Sequence, residues 1–247
     1  MKHHITYDPL YTCKSVGENI WIVDGEVIRF YGMPFPTRMT VVRLSDGALW
    51  IHSPIHLTKG LRKELDELGE VKYLISPNKI HYWYIQEFQE AYPKAIAYAS
   101  PGVEDRAESH EVNVSFDQDF RDGDLPWKDE IDQVLLEGSR YLPEWVFFHR
   151  ESRSLIVTDV IENFESHKIP VWFRPLAWIG GALAPRGGTT RDQRMLYLGR
   201  EDIVRTAIEK IINWKPERIL LAHGKCIEED VEDELYRIFA WTGVKKS

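Results

Sequence analysis

The sequence predicts an α/β (α+β) protein in a four-layer αββα sandwich: two β-sheets face to face between two layers of helices. Three observations predict it. Short β-rich runs open each half of the chain, an amphipathic helical pattern closes each half, and no repeat, low-complexity tract or Pro/Ser-rich linker divides the halves. The 247 residues are therefore read as one domain, 1–247, in which 43% apolar residues and nine Trp can fill a sizeable core.

The first half opens with β-rich runs at Asn19–Val23, Val27–Tyr31, Arg38–Leu44 and Ala48–His52. Asp46-Gly47 between the last two is a hairpin signal. Leu57, Leu61, Leu65 and Leu68 then recur at helical spacing up to the stop at Gly69, and Val71–Ile75 reads as a buried strand. The turn Ser76-Pro77-Asn78 leads into a helical pattern over His81–Tyr92 that Pro93 ends, and Ala95–Tyr98 is the next strand. In the second half, Gln133–Leu136, Trp145–His149 and Ser154–Val157 read as strands, the last two joined by the polar turn Arg150–Arg153. A long irregular section follows. Glu201–Trp214 carries an apolar stripe of Ile203, Val204, Ala207, Ile208, Ile211 and Ile212; a strand at Arg218–Leu221 and a helix over about Glu228–Trp241 complete the chain.

Composition narrows the function classes. With 31 basic and 39 acidic residues the formal net charge is −8, which removes the electrostatic attraction that dominates nonspecific nucleic-acid affinity, so no nucleic-acid partner is expected. Cys13 and Cys226 are too few for a disulfide framework and form no CxxC metal pair, as in a chain kept in a reducing cytosol. Residues 1–10 have no apolar run of the signal-peptide kind, and charges interrupt every hydrophobic stretch before it reaches membrane-spanning length. A cytoplasmic location without a transmembrane segment is the expectation.

Open α/β sheets hold ligands beyond the carboxyl ends of their strands, which singles out three places. They are Ser76–His81 after Val71–Ile75, Thr158-Asp159 after Ser154–Val157, and Ala222–Cys226 after Arg218–Leu221. The β-rich start, the turn and helix after the fourth main strand, the segment SRSLIVTDVIENF and the ending ERILLAHGKCI resemble the metallo-β-lactamase-like superfamily over roughly residues 20–241. Within it, SPNKIHYW is similar to the turn and helix start of an uncharacterised branch of unknown function with an eroded metal motif.

The superfamily holds two metal ions with an HxHxDH motif, a later histidine, a bridging aspartate and a final histidine. By this resemblance Asp159 matches the bridging aspartate and His223 the final histidine. Pro77, Lys79, His81 and Tyr82 occupy the places of the first motif, and Glu137 lies where the middle histidine belongs. The resemblance thus implies a reduced set, His81, Asp159 and His223, for a single divalent ion: zinc, iron or manganese. The alternative reading makes His81 a helix-start residue, Asp159 a cap and His223 a satisfied buried imidazole. Lys79, a cation in a former ligand place, opposes metal binding.

Other candidates carry less chemistry. His52 and His56 have helical ligand spacing, but Pro54 between them favours a structural role in a loop. His3 and His4 sit at the terminus. Cys226 lacks a legible base and reads as a small core residue rather than a nucleophile. The section 171–200 holds Arg174, Arg186, Arg191, Arg194 and Arg200 against the single acid Asp192, with glycine pairs at 180–181 and 187–188. It reads as a flap presenting arginines to an anionic small molecule, as a surface for a subunit or acidic membrane, or as a packed loop. The glycine pairs form no nucleotide fingerprint, so no nucleotide cofactor is expected. Two functional readings stand: a metallo-hydrolase-like enzyme with a mononuclear site, and a noncatalytic binding module of the same fold that has lost its metals.

Overall fold

The structure is a computed structural model that describes residues 5–112, 114–120 and 124–246. His3 and His4 lie outside the described residues. In order, the strands and helices are β1 (Lys14–Gly17), β2 (Ile20–Phe30), β3 (Met33–Arg43), β4 (Ala48–His52), α1 (Lys59–Leu68), β5 (Glu70–Ser76), α2 (Ile85–Ala91), β6 (Ile96–Ala99), α3 (Val103–Ser109) and β7 (Gln118–Asp119). They continue as β8 (Ile131–Leu136), β9 (Glu144–His149), β10 (Ser154–Val157), α4 (Arg174–Gly180), α5 (Arg191–Leu196), α6 (Glu201–Asn213), β11 (Arg218–Leu221) and α7 (Val231–Phe239).

One sheet orders its strands β1-β2-β3-β4-β5-β6-β7, antiparallel up to β4 and parallel from β4 onward. The other runs β11-β10-β9-β8, with β10 and β11 parallel. Between the sheets lie Trp50, Tyr73, Tyr98, Trp127, Phe147, Ile156 and Leu220, all buried. Leu61, Leu65, Phe88 and Val103 carry α1, α2 and α3 onto the outer face of the first sheet, and Val204, Ile208, Ile211, Leu235 and Ile238 carry α6 and α7 onto the second. These three clusters join the four layers that the periodicity predicts, each fully buried Leu, Ile or Phe contributing about 1.5–3 kcal/mol.

Local chemistry explains most boundaries. Thr58 caps α1 by accepting from the Leu61 N–H, and Gly69 closes it on the Leu65 carbonyl. Gly47 turns β3 into β4 at φ +82°, and the Asp46 side chain accepts from the Ala48 N–H. α6 begins with Glu201 and Asp202 and ends near Lys210, matching the helix dipole.

Several expectations are corrected. The two runs before residue 31 are one strand, β2, which passes through an irregularity between Asp24 and Val27 where its register against β3 shifts. Asp24 reads as a break because it is charged, yet it is buried against Arg38 and pairing continues. The helix expected from His81 starts only at Ile85: the Asn78 side chain accepts from the Ile80 N–H, and residues 79–84 form turns. The section 171–200 is not wholly irregular, since it contains α4 and α5. Ile203 is half exposed rather than part of the buried stripe of α6. The last helix is α7 followed by a 3-10 turn at Ala240–Thr242. β1, α3 and β7 went unread, being short or without clear periodicity.

No helix among the described residues is long and apolar enough to cross a membrane. His52, at the end of β4, is buried and stacked on Trp50, with ring centroids 5.5 Å apart. Burial, then His81, pushes its pKa down to about 3 from the ordinary 6.5. The unfolded chain therefore binds the extra proton between these values, so His52's contribution is whole above pH 6.5 and declines as pH falls toward 3. The loss is about 1.4 kcal/mol per pH unit. Urea unfolding at pH 5 and pH 7 checks this: His52→Leu should narrow the stability difference between the two pH values by about 2 kcal/mol. An unchanged difference rejects it.

Candidate metal centre

The three strand ends singled out in the sequence converge. His81 lies in the turns after β5, Asp159 follows β10 by two residues and His223 follows β11 by two. One ligand atom from each, two imidazole nitrogens and a carboxylate oxygen, lies within 4.8 Å of the others. His81 Nε2 is 3.1 Å from Asp159 Oδ2, and His223 Nε2 is 3.4 Å from Asp159 Oδ1. Asp159 and His223 are buried, and His81 is partly covered.

Each ring is fixed by its other nitrogen. His223 Nδ1 lies 2.7 Å from the Pro36 carbonyl, which can only accept, so Nδ1 carries the proton. A neutral His223 then turns the Nε2 lone pair toward a carboxylate oxygen, an arrangement that requires a proton or a cation between them. His81 Nδ1 lies 2.6 Å from Ser53 Oγ. Ser53 adopts φ +53°, uncommon for a non-glycine residue, directly after β4.

Donors 2.0–2.2 Å from a tetrahedral ion stand about 3.3 Å apart, and the nitrogen–oxygen separations of 3.1 and 3.4 Å fit an ion of zinc size. The Nδ1 partners of both rings supply the orienting contacts that metal-binding imidazoles need. The donor set therefore fits one divalent ion.

A second layer of polar groups holds Asp159. Buried Asn78 donates through Nδ2 to Asp159 Oδ2 at 2.6 Å and lies 2.9 Å from Thr158 Oγ1. Glu144, buried at the start of β9, accepts from the N–H groups of Thr158, Asp159 and Val160 at 2.7, 2.9 and 3.1 Å, strapping the turn that presents Asp159. Burial would raise the Asp159 carboxyl, but the facing His81 and His223 rings outweigh it and hold the group below the usual carboxylate range. Burial and then Asp159 push Glu144 up to about 7, while the N–H groups of Thr158 and Asp159 pull it down.

The centre forms the floor of a cleft with a cavity of about 240 Å³. Phe30, Met33, Phe35, Trp83, Tyr84 and Tyr141 give it an aromatic, apolar wall, and Glu162 and Asp192 add carboxylates. Burial, then Asp159 and Asp192, raises the Glu162 carboxyl well above its ordinary range.

The chain matches, over residues 17–177, the family described as a domain of unknown function (DUF4336). It belongs to that family. No curated protein matches this DUF4336 chain by sequence. Solved structures match it across nearly its whole length at low identity. The DIM-1 metallo-β-lactamase exposed to ceftazidime aligns at 12% identity with a TM-score of 0.61, covering 93% of this chain and 96% of the other. A metallo-β-lactamase from Pontibacter korlensis aligns at 9% and 0.58, covering 95% and 99%. The rubredoxin oxygen:oxidoreductase of Desulfovibrio gigas aligns at 15% and 0.62, covering 96% of this chain and 63% of its own. The fold of this DUF4336 chain is that of the metallo-β-lactamases.

Other expectations fare differently. Lys79 lies against Gly102, where a Cβ would stand 2.8 Å from its Cε, and is not among the cleft residues, so its charge does not face the proposed ligands. Glu137 is not among the cleft residues either; the acid behind Asp159 is Glu144. His56 pairs with Glu87 at 2.9 Å, so His52 and His56 form no ligand pair. Cys226 Sγ contacts Arg38 Nη1 at 3.4 Å, outside the cleft lining. The arginine flap is corrected too: none of its five arginines lines the cleft, which receives Asp192, Gln193 and Leu196 from that segment instead. Arg174 and Arg194 donate to the Ile169 and Thr189 carbonyls, so the ground for expecting an anionic substrate is gone.

Sequence reading missed Ser53, Glu144 and Glu162, and took in Asn78 only as part of the turn Ser76–His81, with no role of its own. Only Asn78, in a strand-end turn, carried a local signal. Asn78 donates to charged oxygens, bonds worth about 1.5–3 kcal/mol each. In EDTA-treated protein, Asn78→Ala should lower stability by about 2–3 kcal/mol in urea unfolding. Asn78→Asp, which adds a third carboxylate, should be the more damaging of the two. A fully stable Asn78→Asp protein contradicts this account of the network.

Proposed function

We propose that this protein is a metal-dependent hydrolase with a mononuclear centre held by His81, Asp159 and His223. The observation that carries the reading is the convergence of two ring-fixed imidazole nitrogens and one carboxylate, within 4.8 Å of one another, on the floor of an apolar cleft. Bound there, a divalent ion would polarise a substrate oxygen and acidify a water molecule at neutral pH.

The chain's own residues supply the rest. Ser53 and the Pro36 carbonyl hold the imidazoles in one orientation, which keeps their Nε2 atoms turned inward. Asn78 engages Asp159 Oδ2, and Glu144 fixes the turn below it, so the carboxylate cannot swing away. Trp83, Tyr84 and Tyr141 limit water and strengthen polar interactions at the floor. A single ion suits the first-motif places, since Pro77 has no ligand atom, Lys79 points elsewhere and Tyr82 is buried in the core beneath α2.

One observation favours the second reading, a noncatalytic binding module: the Asn78 amide already satisfies Asp159 Oδ2 at 2.6 Å. Calorimetric titration of tag-free, EDTA-treated protein with zinc, iron(II) and manganese separates the two. The hydrolase reading expects one equivalent of metal and a raised Tm. Asp159→Asn and His223→Ala should each weaken binding at least tenfold, about 1.4 kcal/mol. Protein that binds none of the three ions and keeps its Tm is the binding module.

A further inference from the structure

We propose that the cleft selects an amine: a small substrate whose aromatic or branched apolar body lies against the aromatic wall and whose ammonium group is held by Glu162 and Asp192. This deepens the hydrolase reading and rests on it, since it assigns a substrate class to the same cleft.

The first ground is the charge ledger of the lining. Three acids line the cleft, Asp159, Glu162 and Asp192. Asp159 is already opposed by two imidazoles. Among the described residues, no base pairs with the Glu162 or Asp192 side chain. Arg38 is the only Lys or Arg among the described lining residues, and its guanidinium is committed elsewhere. Nε and Nη2 bind Asp24 at 2.9 and 2.7 Å, and Nη1 donates to the Leu221 and Gly224 carbonyls at 2.7 and 2.8 Å. A carboxylate or phosphate entering the metal-free cleft would meet the Asp192 carboxylate and the Glu162 carboxyl and, among the described lining residues, no uncommitted Lys or Arg. An ammonium group would offset part of that negative charge and donate hydrogen bonds to it.

The second ground is the wall. Trp83 and Tyr141 line the cleft and are 45% and 47% exposed; Trp83 is stacked on Tyr82, and the Tyr141 ring already carries the Arg106 guanidinium 5.6 Å from its centroid. Arg106 donates to the Tyr141 hydroxyl but is not itself a lining residue. Exposed indole and phenol faces attract ammonium groups as well as apolar bodies, and unpaired carboxylates beside them reinforce the same choice. The cavity of about 240 Å³ suits a molecule the size of an arylalkylamine.

Matched probes test this in EDTA-treated protein, its fold checked by circular dichroism: phenethylamine, 2-phenylethanol and phenylacetate, titrated at pH 7 in low salt. Phenethylamine should bind at least tenfold tighter than phenylacetate, with the alcohol between them. Glu162→Gln combined with Asp192→Asn should bring the amine down to the alcohol's affinity, and Trp83→Ala should weaken all three. In zinc-loaded protein the amine should still exceed the alcohol by about fivefold, a readout that stands if EDTA unfolds the chain. Equal or tighter binding of phenylacetate to the metal-free protein overturns the proposal. So does an amine preference that survives the double substitution, or failure of the amine to bind. Amine preference without metal binding would refute the hydrolase reading alone, and metal binding without amine preference would refute this inference alone.

Discussion

The buried guanidinium of Arg38 is the constraint on which the rest of the structure depends. It sits on β3, in one sheet, and reaches across to the carbonyls of Leu221 and Gly224, which flank His223 at the end of β11 in the other. Its charge is matched by Asp24 on β2, itself buried and also paired with Lys14. A buried ion pair rarely stabilises a fold relative to apolar residues of the same size, but losing one partner leaves an uncompensated charge and costs about 3–5 kcal/mol. Its value here is positional. Two sheets held only by side-chain packing could slide by a fraction of an ångström, whereas directional hydrogen bonds from one guanidinium fix the loop carrying His223 to the strand whose Pro36 carbonyl orients that same ring.

The same logic recurs on the Asp159 side. A carboxylate at the end of a buried strand is unfavourable unless every oxygen is engaged. Glu144 collects three consecutive N–H groups from the turn, and Asn78 supplies a dipole to Asp159. Neither Glu144 nor Asn78 needs to touch a substrate. Both convert a flexible strand-end turn into a rigid mount, so that the position of Asp159 is set by neighbours on β9 and after β5 rather than by its own rotamer.

How much of this was legible follows from where the signals lie. Asp159 and His223 stand out because a short run of buried β-branched and aliphatic residues stops abruptly at a polar one, a local pattern. The helix layers were legible from Leu61 and Leu65 and from the stripe of α6 for the same reason. Arg38 was not, because its partners at Leu221 and Gly224 are 183 and 186 residues away and nothing near it in sequence marks a charged residue inside an apolar strand as bridging. Glu144 begins a strand and reads as a solvent-facing end; only the fold brings the turn at Thr158 onto it. Asp24 misled in the opposite direction, its charge suggesting a break in a strand that continues. The arginines of 171–200 misled because composition counts charge without direction: those with partners spend their donors on nearby carbonyls, while the one acid of the segment faces the cleft.

The contacts of Asp159 also bear on how many ions the proposed centre would hold. A bridging aspartate between two ions needs a cation on each oxygen. Here Oδ2 meets the Asn78 amide and the His81 ring, while Oδ1 faces His223, so a neutral dipole does part of the work of a second ion. Two dications beside one carboxylate and two imidazoles would leave a large positive charge uncompensated in a buried floor, with no further carboxylate in the ligand group among the described residues. One dication leaves a small excess that Glu162 and Asp192 in the wall can balance. The Asn78 contact on Asp159 Oδ2 and the charge balance of the floor therefore both favour one ion over two in the proposed centre.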